Sequence, residues 1–195
     1  MLNNTASSIA QFFYTNKVIQ DEDDIEIYAY GLEILLATIL EISAVILLSI
    51  IIKQFYSTIA FLAVFMPLRT YAGGYHAKTH FRCFLVLLAV YGIFIAMIFS
   101  IKDMMIPEYL IIAAMISFVT VYVFSPVEDA NKPLSSKEKK KYRKISIVIV
   151  TIQSILIIVL SVFKTSSITV FSLTVGQLAA SLSLVIAKIL KKGAS

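Results

Sequence analysis

Five long apolar runs constrain this chain more than any other feature. They cover residues 28–52, 84–101, 105–125, 145–163 and 167–190, and each reaches or approaches the roughly 20 residues that a helix needs to cross a bilayer. Hydrophobic residues make up 59% of the chain and charged residues only 15%, which leaves too little polar surface to cover a soluble fold. The sequence therefore predicts an all-α integral membrane protein.

A sixth apolar run, from Phe55 to Leu68, is shorter and contains Pro67 just before a Gly-Gly pair. It could form a tilted span, a helix completed by its neighbours or a re-entrant hairpin. We favour a crossing, which gives about six membrane-embedded helical segments.

We expect a single polytopic membrane domain over residues 1–195, with a basic cytoplasmic loop at 126–144. Residues 1–24 are predicted to form an interfacial helix and an acidic linker, and they lack the basic start of a cleavable signal peptide. The apolar residues available for the lipid side of this helix are Leu2, Ile9, Phe12, Phe13 and Ile19.

The basic residues predict the orientation, because lysine and arginine near span ends favour the cytoplasm. The largest group lies between Asn131 and Lys144, whereas the alternate connections hold only Lys53, Lys102 and Lys164. Six crossings with both termini in the cytoplasm satisfy this distribution. The net charge of +5 therefore indicates topology and contact with anionic lipids, and we expect no nucleic-acid partner.

The side chains best suited to chemistry are concentrated in residues 69–83. This segment, RTYAGGYHAKTHFRC, contains the single cysteine and both histidines of the chain, and a thiol with an imidazole is the minimum set for a nucleophile and its base. Free cysteine in a span is usually an inert small hydrophobe. Cys83, however, lies beside Arg82 and near Lys78, and positive charge favours the reactive thiolate.

Two histidines compete as the base for Cys83. On a straight helix His76 lies on the same face as Cys83 but roughly 10 Å further along the axis. A direct contact then needs a helix break that leaves His76 in the glycine-rich turn, or a gap that closes on substrate binding. His80 is nearer by helix spacing. The two histidines and the cysteine could also bind zinc, but no further cysteine or histidine completes the ligand set, so we predict no metal and no cofactor.

Glu33 and Glu41 lie inside the first long apolar run, where burial of a carboxylate is expensive enough to suggest a function. Each could instead make a helix contact or be protonated. Asp23 to Glu26 resembles a capping box, which places Glu33 at a depth where it could meet the histidine and cysteine region and orient the histidine.

Arg69, Gly74, His76 and Cys83 form the pattern R-x4-G-x-H-x6-C, and the element PVEDANKPL follows later in the chain. Together they resemble the accessory gene regulator B (AgrB) family of bacteria, over most of the chain. Glu33 stands where some relatives have glutamine, and His80 is not part of the family pattern.

The resemblance implies a cysteine endopeptidase of the bacterial cell membrane that matures a quorum-sensing peptide. Cys83 would be the nucleophile and His76 the base, with Arg69, Gly74 and Glu33 in support. The enzyme would hold the peptide as a thioester, and a cysteine of the precursor would then close a thiolactone ring.

The implied substrate is a small precursor with an amphipathic leader and an acidic tail. Lys132, Lys78 and Arg82 would contact the tail, and a homodimer is expected from the family. The alternative is a non-enzymatic transporter or scaffold, in which Glu33 and Glu41 would matter and Cys83 would be replaceable.

Overall fold

The computed structural model describes residues 2–74, 79–101, 106–128 and 134–193, which form seven α-helices and no strands. The helices are α1 (Leu2–Thr15), α2 (Asp24–Ile51), α3 (Phe55–Ala72), α4 (His80–Ile101), α5 (Pro107–Phe124), α6 (Ser136–Val162) and α7 (Ser167–Gly193). Five of them, α2 and α4 to α7, are long and apolar enough to cross a membrane. The prediction of an all-α, multi-pass membrane protein is therefore confirmed.

The sixth apolar run forms α3, which is one continuous helix of 18 residues that includes Pro67. At 1.5 Å per residue it is about 27 Å long, close to the thickness of the hydrocarbon layer. Among the described residues, α3 is not one of the helices that length and composition identify as spans. The helix nevertheless packs against α6 and α7, and its residues Phe61 and Leu68 are completely buried. Of the three alternatives, the structure favours a helix completed by its neighbours.

The chain divides into two compact units, residues 1–48 and 49–195. In the first unit α1 is amphipathic as predicted: Ala10 is buried, whereas Phe12 is 63% exposed. The prediction that Ile19 faces lipid is wrong, because only 2% of its surface is exposed. Lys17 adopts a positive φ of 58° after the helix, and the chain turns back so that the Ile19 amide donates to the carbonyl oxygen of Phe13.

α7 is the central helix of the second unit. Its spanning segment is 61% buried, against 17% to 33% for the other four spans, and it packs against α3, α4, α5 and α6. A Cβ atom at Gly176 would lie 2.6 Å from the carbonyl oxygen of Phe61. Glycine therefore lets α7 and α3 approach each other closely, as small residues do at membrane helix interfaces.

Interhelical hydrogen bonds tie the middle of α7 to α5 and α6. Gln177 Nε2 donates to Ser154 Oγ at 2.9 Å and to the carbonyl oxygen of Ala114 at 3.3 Å. One turn further on, Ser181 Oγ donates to Ser117 Oγ at 3.3 Å. We call these five residues the α7 polar network. Its hydrogen bonds give the apolar bundle a defined helix register.

An aromatic stack docks α4 onto the bundle. The ring of Phe94 stacks between Phe61 of α3, at 4.6 Å between centroids, and Phe171 of α7, at 6.5 Å. The buried residues of α4 follow each other at three- and four-residue spacing: Leu87, Tyr91, Phe94 and Ile98. Cys83 continues this stripe four residues earlier, so α4 directs its cysteine toward the bundle.

One end of the second unit gathers the segments that sequence analysis singled out. Here the C-terminal ends of α3, α5 and α7 meet the N-terminal ends of α4 and α6, through contacts that include Arg69 with Cys83, Arg143 with Tyr122, and Lys188 over the Phe124 ring. We call it the motif end. Residues 136–144 of the predicted basic loop are helical, because Ser135 and Glu138 form a capping box that starts α6 before its apolar run.

Candidate active site at the motif end

The cysteine lies in the first turn of α4. Thr79 precedes the helix, its Oγ1 atom accepts the backbone N–H of Arg82 at 3.3 Å, and its carbonyl oxygen accepts that of Cys83 at 3.0 Å. Cys83 is half-buried and Arg82 is exposed. The thiol is thus placed near a helix N-terminus, where the backbone favours negative charge.

Arg69 joins three helices at this point. It lies in the last turn of α3, and its Nη2 atom donates to Cys83 Sγ at 3.6 Å while Nη1 donates to Ser183 Oγ of α7 at 3.2 Å. Its guanidinium carbon lies 5.7 Å from the centroid of the Phe65 ring. Arg69 thus places a guanidinium N–H donor on the sulfur and fixes it to α7 through Ser183.

The glycine pair is required by close packing on both sides. Gly73 has a φ of 84°, and a Cβ atom there would collide with the carbonyl oxygen of Val127. The Val127 amide donates to the carbonyl oxygen of Ala72 at 2.9 Å, which ties residues 125–128 to the end of α3. A Cβ atom at Gly74 would lie 2.6 Å from Ser183 Oγ. Any larger residue at either position has to displace its neighbour.

The start of the PVED element is fixed between α5 and α6. Arg143 of α6 donates to the carbonyl oxygens of Ser125 and Tyr122, at 3.1 and 3.2 Å, and so satisfies the C-terminal end of α5. Glu128 accepts the amide of Leu134 at 3.1 Å and pairs with Lys139 Nζ at 2.9 Å. These contacts hold residues 125–128 against the Gly73 turn.

The structure brings together only part of the predicted site. Arg69, Gly74 and Cys83 meet at the motif end, and Arg82 lies in the first turn of α4. Three predicted site residues lie outside the described residues: His76, Lys78 and Lys132. The contact between His76 and Cys83 therefore stays a prediction.

Glu33 and Glu41 are half-buried residues of α2. Glu33 belongs to the first unit, and its role toward His76 also stays a prediction. Within residues 2–74, 79–101, 106–128 and 134–193, no three His, Cys, Asp or Glu side chains are grouped to hold a metal ion.

Sequence reasoning missed Ser183, Gly73 and Arg143. The Gly-Gly pair was a visible signal for Gly73, since glycine adopts a positive φ without the steric cost that other residues meet. Ser183 carried no signal, because α7 contains several serines and nothing in their spacing distinguishes the one that meets Arg69.

Comparison with known proteins identifies the family. Residues 6–186 match the sequence profile of accessory gene regulator B. The chain belongs to the accessory gene regulator B family. It is 30% identical over 163 residues, covering 78% of this chain and 73% of the relative, to a protein from Clostridium perfringens (strain 13 / Type A) with the provisional name AgrB-like protein 2.

A second relative, provisionally named AgrB-like protein, from Clostridium perfringens (strain SM101 / Type A), is 28% identical over the same shares of the two chains. No solved structure gives a significant match. AgrB membership associates the chain with the agr quorum-sensing system, with the processing of a peptide precursor and with a membrane.

Proposed function

We propose that this AgrB-family protein is a membrane-embedded cysteine endopeptidase that removes the C-terminal tail of a ribosomally made signal-peptide precursor. The observation that carries the proposal is the guanidinium of Arg69, which donates to Cys83 Sγ at 3.6 Å in the first turn of α4. This arrangement stabilises the thiolate of a half-buried cysteine that keeps access to a substrate.

The reaction has two acyl transfers. His76 takes the proton of the Cys83 thiol, and the thiolate attacks the carbonyl that joins the central segment of the precursor to its tail. The carbon–nitrogen bond breaks, His76 gives the leaving amine its proton, and the acyl group stays on Cys83 as a thioester.

The cysteine of the precursor then gives its thiol proton to His76 and attacks this thioester; the bond between the acyl carbon and Cys83 Sγ breaks, which frees Cys83 and closes the thiolactone. One thioester replaces another, so the second step needs no ATP. The precursor thiol has to react before water does, and its placement next to the acyl group raises its effective concentration.

Other predicted residues take supporting roles in this proposal. Arg69 stabilises the thiolate, Gly74 lets the chain pass α7, and Glu33 orients His76. Three basic residues provide the contacts for the acidic tail of the precursor: Lys132, Lys78 and Arg82. The family resemblance also favours a homodimer.

The test is cleavage of a candidate precursor by the full-length protein in liposomes. Wild type should release the tail, and mass spectrometry should detect an acyl adduct on Cys83. Cys83→Ala and Cys83→Ser should insert and fold like wild type but release no tail, because the residue contributes a thiolate and only a small side chain to packing. Gly92→Ala serves as the matched control in α4, since a Cβ atom there has nothing within 4 Å.

Cleavage by Cys83→Ala at a near wild-type rate would rule out the peptidase mechanism. Loss of peptide export on substitution of Glu33 and Glu41, with Cys83 replaceable, would favour the transporter instead.

We further propose that the motif end opens to the cytoplasm, where the precursor is made and where basic span ends are favoured. In a Cys83→Ala background, Ser136→Cys and Ser167→Cys should react with an impermeant thiol reagent from opposite sides of the membrane. Both serines are exposed and lie at opposite ends of the second unit, and neither is the Ser135 cap of α6. Labelling of Ser136→Cys from outside intact cells would contradict the proposed orientation.

A further inference from the structure

We propose that Ser183 of α7 is a positioning residue that holds the Arg69 guanidinium against the thiol of Cys83. The inference rests on the proposed function, in which Cys83 is the nucleophile, and it adds a residue from the far end of the chain to the reaction. Ser183 acts through Arg69 and is not expected to touch the substrate.

The geometry of Arg69 supports this role. One nitrogen of its guanidinium donates to Ser183 Oγ at 3.2 Å and the other donates to Cys83 Sγ at 3.6 Å. The Phe65 ring lies 5.7 Å from the guanidinium carbon. An arginine side chain has many rotamers, so a group fixed between a ring and a hydroxyl loses far less freedom when it meets the thiolate.

Packing of α7 holds Ser183 in place. It lies on α7, the most buried span of the bundle, two residues after Ser181 of the α7 polar network. Its hydroxyl also lies close to Gly74, where an added Cβ atom would be 2.6 Å from Ser183 Oγ. Ser183 therefore lies against both Arg69 and Gly74, and the packing of α7 in the bundle fixes its position.

Among the described residues, the hydrogen bond to the sulfur comes from Arg69 and not from the neighbouring cation Arg82. Arg82 is exposed, and its backbone N–H donates to Thr79 Oγ1 at the start of α4, whereas Cys83 continues the buried stripe of that helix. Arg69 is the cation whose hydrogen bond to the sulfur the structure shows. If its guanidinium swings away, the thiol keeps its place but loses the hydrogen bond from Arg69.

The experiment measures the local charge at Cys83 without any precursor. The purified full-length protein is alkylated with iodoacetate, which is anionic, and with iodoacetamide, which is neutral, and the ratio of the two rates is recorded. Because Cys83 is the only cysteine, the reaction reports on this site alone. Ser183→Ala should lower the ratio by about three- to tenfold, the size expected for loss of one typical intramolecular hydrogen bond.

Ser183→Thr keeps the hydroxyl and should retain most of the ratio. Arg69→Gln should lower the ratio at least as far as Ser183→Ala, and adding Ser183→Ala to Arg69→Gln should change nothing more. Ser172→Ala is the matched control: this buried serine of α7 donates to the carbonyl oxygen of Ile168 within its own helix, and the ratio should stay unchanged.

Two results would overturn the inference: an unchanged ratio in Ser183→Ala, or a fall of equal size when the same change is made in Arg69→Gln. Should Ser183→Ala fold poorly, the isosteric pair Ser183→Val and Ser183→Thr decides the question, because only the hydroxyl differs. The ratio does not depend on cleavage. If no precursor is cleaved but the ratio changes as expected in Ser183→Ala, Arg69→Gln and the double variant, only the proposed function is rejected. If cleavage is normal but the ratio does not change in this way, only the role of Ser183 is rejected.

Discussion

Two polar clusters on α7 differ in charge and in exposure. The α7 polar network is neutral and buried: Gln177 is completely buried, and its amide nitrogen reaches a hydroxyl of α6 and a backbone carbonyl of α5. The cluster at the motif end contains the guanidinium of Arg69, the half-buried thiol of Cys83 and the hydroxyl of Ser183.

The difference indicates a division of labour along one helix. Neutral hydrogen bonds inside a membrane bundle join its helices, whereas a charge in the same place would be far more expensive to bury. Where the helices end, a cation is closer to water and can serve chemistry. We therefore expect substitutions in the network to change stability and substitutions at the motif end to change the reaction rate.

The largest effect on the cleavage rate among the following predictions is expected for loss of the base. It would sharpen the comparison if the rate falls while stability is unchanged. His76→Ala should lower precursor cleavage by about 10²- to 10⁴-fold, the usual contribution of a general base, and His80→Ala should have a much smaller effect. Neither change should lower the thermal stability of the protein. Single-turnover cleavage of the precursor by both variants measures the two rates. If His80 proves essential and His76 does not, helix spacing and not the family pattern identifies the base.

A change at Gly73 tests whether the motif end tolerates displacement. Gly73→Ala puts a side chain at a positive φ and against the carbonyl oxygen of Val127, so the turn or residues 125–128 have to move. A shift of about 1 Å near reacting groups can lower a rate by on the order of a hundredfold. The readout is the rate of tail release, with Gly92→Ala as the control. Equal activity of the two variants would show that the turn does not position the site.

The sequence was sufficient for the helices because each long apolar run has to bury its backbone polar groups within a helix. The loop predicted at residues 126–144 overlaps the start of α6, because an apolar run marks only the membrane-embedded part of a helix, and the capping box of Ser135 and Glu138 lies in polar residues before that run. The sequence also left three alternatives for the sixth apolar run, because a helix that contains Pro67 and Arg69 depends on its packing against α6 and α7.

The candidate site was predictable only in its local part. Arg69, Gly74 and Cys83 fall within fifteen residues of one another in the chain, and a short pattern can carry them. Ser183 meets them only because α7 passes beside the end of α3, a contact across 114 residues of sequence. The spacing of the serines in α7 does not show which of them makes this tertiary contact, so only the structure could identify Ser183.

A substitution of Gln177 tests the α7 polar network. We expect it to have the smallest effect on the rate and a measurable effect on stability. Gln177→Ala removes the hydrogen bonds to Ser154 and Ala114 and leaves a cavity in the centre of the bundle. The free energy of unfolding in mixed micelles should fall by about 2–3 kcal/mol. Gln177→Leu preserves the volume and should cost only about 1 kcal/mol. In both variants the rate of tail release per folded molecule should stay within about twofold of wild type, since an interaction that acts equally on ground state and transition state does not change catalysis. A large fall in that rate, with stability intact, would mean that the network also serves the reaction and that the two clusters are not separate.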